Sequence, residues 1–171
     1  MVALATRIVL GHGASGTAAS MGRYVTGLAS RGVAGRAIDL PRSRPEAAIA
    51  VFLAEAAADP GLALGGHSFG GRMASLAASR TAVPALACFS YPVHRPGHPE
   101  LGSRTAHWAE ITCPVLLLSG DRDPFARIDL LRAAAERLPR GRLIVFHGAG
   151  HGLAGHLDEA LDAAAEFLLG R

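Results

Sequence analysis

The feature that most constrains this chain is an alternation: short apolar runs with strand character repeatedly give way to segments with helix character. The strand-like runs lie at 7–10, 35–40, 62–64, 85–91, 114–119 and 142–146. The helix-like segments lie at 17–31, 45–58, 73–78, 127–137 and 157–168, the second ending at the breaker cluster Asp59-Pro60-Gly61. A strand, a helix and a further strand favour a right-handed crossover and parallel pairing. The pattern predicts an α/β fold: a doubly wound, mostly parallel six-stranded sheet with helices on both faces. At 171 residues the chain fits one domain, 1–171, with a sizeable core. In such sheets ligands bind beyond the carboxyl ends of the strands.

One of those ends carries Gly65-Gly66-His67-Ser68-Phe69-Gly70-Gly71, with Ser68 at the centre of a G-x-S-x-G pattern. A serine on a sharp strand-to-helix turn needs small neighbours, and Gly66 and Gly70 supply them. Three other strand ends carry Gly11-His12-Gly13-Ala14-Ser15-Gly16, Gly120-Asp121-Arg122-Asp123-Pro124 and His147-Gly148-Ala149-Gly150-His151-Gly152. A serine hydroxyl needs a base within hydrogen-bond reach, and the base needs a carboxylate to hold its tautomer. Ser68, His151 and Asp123 are the candidates for nucleophile, base and acid. Asp121 competes with Asp123, and His147 with His151; the Gly-flanked position of His151 gives it the longer reach. His67 reads as a packed histidine facing away from the reaction. The backbone N–H groups of Phe69 and Ala14 are the candidate oxyanion donors.

Gly11–Gly16 also fits G-x-G-x-x-G, and Asp39 ends the next strand, so a dinucleotide-binding reading competes. That reading leaves the other three segments without a task. Metal binding is weaker. His94 and His98 are four apart, but Pro96 and Pro99 forbid the helix that would align them. No cofactor is expected.

The net charge of +3 comes from arginines dispersed from Arg7 to Arg171, not from a stripe, so no nucleic-acid partner is expected. No apolar run approaches bilayer length, and the opening MVALATRIVLGHG lacks a basic leader. With only Cys88 and Cys113, both in apolar surroundings, a reduced protein of the cytoplasm is expected.

These segments together resemble an α/β-hydrolase of small, capless type. YPVHRPGHPE at 91–100, with Arg104 and His107 following, is similar to the signature of a narrower hydrolase-like family. That family includes the hydrolase-like subunit of the non-specific-lethal chromatin complex and a testis-expressed relative. DLPRSR at 39–44 and GDRDPF at 120–125 are similar to further blocks of it. The resemblance implies six central strands without a leading hairpin, and Ser68, Asp123 and His151 as the triad. It implies no particular substrate. The 92–112 segment, dense in Pro, Gly and His, is expected as a long loop over the site. His12, Tyr91, His94, Arg104 and His107 are then candidate substrate-binding residues. The alternative is that the loop is structural, with Arg104 paired to Glu100 or Glu110. The expected partner is a small-molecule acyl substrate, an ester or thioester. A hydrolase-like scaffold protein is the competing reading.

Overall fold

The computed structural model describes residues 4–99 and 104–171. Six strands, β1 (Arg7–Gly11), β2 (Ala34–Ile38), β3 (Ala63–His67), β4 (Leu86–Phe89), β5 (Val115–Gly120) and β6 (Gly141–Phe146), form one sheet in the order β2-β1-β3-β4-β5-β6. Every pairing between neighbours in this sheet is parallel. Among the described residues, the α-helices α1 (Gly22–Ala29), α2 (Pro45–Ala58), α3 (Phe69–Ala78) and α4 (Ile128–Ala135) lie between strands, and α5 (Leu157–Leu169) follows β6.

Two apolar layers explain why this topology closes. Side chains alternate along a strand, so Val9 joins one layer while Ile8 and Leu10 join the other. With Val9 lie Leu64, Leu86 and Leu117, covered by Phe52 of α2, Met73 of α3 and Leu131 of α4. With Ile8 and Leu10 lie Ala63, Ala87 and Leu116, covered by Tyr24 and Leu28 of α1 and Leu161 and Leu168 of α5. Both faces of the central strands are therefore dry, and β3, β4 and β5 are buried along nearly their whole length.

Three elements depart from expectation. The 17–31 segment is broken: a 3-10 turn at Ala18–Met21 precedes α1. The Asp39 carboxylate accepts the Ala18 N–H at 2.7 Å, and Ser20 Oγ donates to the Thr17 carbonyl at 2.6 Å. These bonds hold a tight turn where a helix start was expected. The strand expected at 85–91 stops at Phe89, because Ser90 turns to φ 53°. The 92–112 segment contains a 3-10 turn at Ala106–Glu110, anchored by buried Trp108.

The strand order places the reversal point between β1, which runs to β2 on one side, and β3 on the other. The crevice above such a point is where an α/β sheet offers a site. The nucleophile candidate, Ser68, sits there.

Candidate active site

Ser68 follows β3 directly and caps α3, with φ 52° and ψ −116°. A side-chain-bearing residue held in this region stores roughly 1–3 kcal/mol of strain. The Ser68 N–H donates to the Phe89 carbonyl at 2.9 Å, and its carbonyl accepts the Arg72 N–H at 3.0 Å. The turn is tight enough that a Cβ on Gly70 would overlap the Gly11 carbonyl. One on Gly66 would come within 2.7 Å of the Gly70 carbonyl carbon. The glycines around Ser68 are thus required by backbone packing against β1.

His151, in the loop between β6 and α5, has Nε2 2.8 Å from Ser68 Oγ. Its Nδ1 lies 2.8 Å and 2.9 Å from the two Asp123 carboxylate oxygens. The Asp123 side chain is fully buried after β5 and also accepts the Phe125 N–H at 2.8 Å. This carboxylate fixes the His151 proton on Nδ1, leaving Nε2 as the acceptor facing the hydroxyl. Phe69 is the first residue of α3, so its N–H has no partner within the helix.

The competitors pair with each other. Asp121 accepts the Gly148 N–H at 2.7 Å and lies 2.9 Å from His147 Nδ1, on a histidine that is 86% exposed. These bonds hold the Asp121 carboxyl below its usual range. Asp121 thus ties the loop after β5 to the loop after β6.

A cleft of about 540 Å³ opens over Ser68, lined by Gly13, Ala14, Arg23, Tyr24, His67, Phe125 and His151 among others. His67 differs from expectation, because it lines this cleft. It donates from Nε2 to the His151 carbonyl at 2.9 Å, and its ring centroid lies 5.0 Å from that of His151. Burial pushes its pKa down, keeping the ring neutral. The Phe125 ring packs on the other side of His151 at 4.3 Å. Arg23 and Tyr24 carry no motif, and only the fold brings them here; Phe125 closes the GDRDPF block.

His12, Tyr91, His94, Arg104 and His107 do not line the cleft. His12 is buried; Nδ1 donates to the Gly13 carbonyl at 2.7 Å while Nε2 accepts the Leu40 N–H at 2.9 Å. His94 has the same arrangement, donating to the Arg95 carbonyl at 2.7 Å and accepting the Arg127 N–H at 2.9 Å. The Tyr91 hydroxyl donates to the Arg104 carbonyl at 2.9 Å. His107 Nε2 lies 2.8 Å from Ser75 Oγ on α3. The loop expected over the site is thus a buttress beside it, packed on α3 and on the turn that carries Asp123. No ion pair joins Arg104 to Glu110 among the described residues, and Glu100 lies outside them.

The dinucleotide pattern has lost its helix end. The turn after Gly16 is 3-10, and the Ala18 N–H is bonded to Asp39, the residue a ribose would need. Asp39 forms no ion pair with Arg42 or Arg44 among the described residues. Among those residues no group of three or more metal-ligating side chains exists. Burial pushes both free thiols up, that of Cys113 to about 11.

A family model described as an alpha/beta hydrolase domain matches residues 40–164. The chain belongs to the α/β-hydrolase family. Solved structures show where this hydrolase domain's fold recurs. It is similar to a monoacylglycerol lipase of Paleococcus ferrophilus at 17% identity and TM-score 0.81, covering 96% of this chain and 94% of that one. It is similar to Est1E from Butyrivibrio proteoclasticus at 19% identity and TM-score 0.78, covering 97% and 88%. A Thermogutta terrifontis esterase, Est2 with propionate bound, matches at 21% identity and TM-score 0.74, covering 97% and 83%. At these identities the likeness is one of fold. No curated protein matches the sequence.

Proposed function

We propose that this α/β-hydrolase is a serine hydrolase acting on a small ester, thioester or related acyl compound. The supporting observation is the continuous hydrogen-bonded line from Ser68 Oγ through His151 to the buried Asp123 carboxylate. Ser68 Oγ attacks the acyl carbonyl as its proton passes to His151 Nε2. Asp123 holds the imidazolium, and the Phe69 and Ala14 N–H groups receive the oxyanion. The tetrahedral centre collapses, the C–O or C–S bond breaks, and the leaving group takes the proton from His151. Water, losing its proton to His151, then attacks the acyl-serine; Ser68 recovers its proton as the carboxylic acid departs. No cofactor takes part. The esterase and lipase neighbours act as a prior for ester chemistry, since a shared fold alone does not specify a reaction.

The proposal extends to one domain over 1–171 and to the cytoplasm, where buried reduced thiols persist. No described helix is long and apolar enough to cross a membrane. The narrower family resemblance of 91–100 belongs to the proposal as well and carries no chromatin role.

A fluorophosphonate probe tests the reading. Labelling of the wild type, lost in Ser68→Ala, is the expected result. A folded wild type that stays unlabelled favours a hydrolase-like scaffold.

A further inference from the structure

The cleft over Ser68 is electrically one-sided. Of the described residues lining it, Arg23 alone carries a fixed charge, and no carboxylate joins it. His67 is kept neutral by burial, and the Asp123 carboxylate is closed off beneath His151 with no exposed surface. Among the described residues no carboxylate lies within ion-pair distance of Arg23. Arg23 also lines a separate groove with Asp158 and Glu159, where Asp158 is engaged by Arg31 at 3.4 Å and Glu159 lies 3.3 Å from His156. The cleft over Ser68 itself is lined by the Gly13–Gly16 turn, Met21 and Tyr24, a mixed polar and apolar wall.

An unpaired guanidinium that shares a cleft with a candidate nucleophile offers planar, bidentate recognition of a carboxylate. We infer that Arg23 selects acyl substrates that carry a carboxylate, a short chain away from the scissile carbonyl. This rests on the acyl-transfer reading of Ser68 and names its substrate class. The carboxylate can belong to the acyl part, as in a half-ester of a short dicarboxylic acid, or to the leaving alcohol. Arg23 touches substrate without taking part in bond making. The Coulomb attraction acts at an open cleft, so salt weakens it.

Three esters separate the possibilities: para-nitrophenyl butyrate, the para-nitrophenyl half-ester of glutaric acid, and the butyrate ester of para-hydroxybenzoate. With each rate divided by that ester's own rate of hydrolysis by hydroxide, which removes the difference in leaving group, the wild type is expected to favour one of the two anionic esters over the neutral one by roughly tenfold or more in kcat/KM. Which one is favoured tells whether the carboxylate sits on the acyl or the alcohol side. In Arg23→Gln the anionic-to-neutral ratio collapses toward unity, Arg23→Lys retains part of it, and added salt erodes it in the wild type. Equal rates on all three esters so normalised, or a preference that survives Arg23→Gln, overturn the inference while leaving acyl transfer intact. Glutarate titrated calorimetrically into wild type and Arg23→Gln reads the cleft without turnover. Binding lost in the variant supports the selection even if no ester is cleaved, and absent binding to the wild type counts against it.

Discussion

At the scale of single residues, the site depends on side chains held by bonds that leave them little freedom. His151 faces Asp123 through both carboxylate oxygens, so its ring orientation and proton position are set together. Asp123→Asn preserves the size and much of the hydrogen bonding but presents the wrong partner to Nδ1. Steady-state kinetics on an activated ester should show kcat lowered on the order of 10⁴-fold, with the melting temperature nearly unchanged. Gly70→Ala should act oppositely, because its Cβ overlaps the Gly11 backbone. Overpacking against backbone predicts a loss of about 3 kcal/mol in chemical denaturation. Ser68, Asp123 and His151 are legible in the sequence because glycines and strand ends flag them. His12 and His94 mislead, since a histidine clipped by backbone at both nitrogens reads in sequence like one that binds a ligand. His67 is misread for a different reason. Face alternation sets it apart from Ser68, but its ring lies against Tyr24 and bonds the His151 loop, which makes it part of the cleft wall.

At the scale of elements, the 92–107 segment bears on stability. It is fastened to α3 through His107 and Ser75, and to the Asp123 turn through His94. Burial, with Arg72, Arg80 and Arg137 nearby, pushes the His107 pKa from near 6.5 down to about 4. The unfolded chain therefore binds a proton that the folded protein refuses between those values. This contribution to stability is complete above pH 6.5 and is lost progressively as pH falls toward 4. His67, also lowered by burial, adds in the same direction. Melting temperature measured against pH should fall across that window in the wild type. His107→Gln, which keeps a donor toward Ser75, should give a shallower slope, and an identical slope would contradict the assignment. Segment composition, rich in Pro, Gly and His, signals a loop but not which neighbour the loop leans on. That depends on buried Tyr91 and Trp108 finding each other at 4.9 Å, a long-range contact without a local pattern.

At the scale of the whole molecule, the alternation of apolar runs and helix formers carries most of the fold, because each element must bury one face and crossovers have one hand. The six parallel strands follow from that. The broken start of α1 does not, because it comes from Asp39 reaching across from the end of β2. Arg23 and Tyr24, in the first turn of α1 directly after that break, line the cleft without any local pattern to announce them. The strand order brings the ends of β1 and β3 together at the reversal point, so the Gly13 loop and Ser68 share one cleft. If that convergence serves acyl transfer, a covalent intermediate must form on one oxygen. The most direct measurement is to quench the protein within seconds of mixing with para-nitrophenyl acetate and map the adduct by peptide mass spectrometry. One acetyl group on the peptide carrying Ser68, absent in Ser68→Ala and accompanied by a burst of nitrophenol, is the predicted result. Ester turnover with no acyl-serine at residue 68, and an undiminished burst in Ser68→Ala, would contradict it.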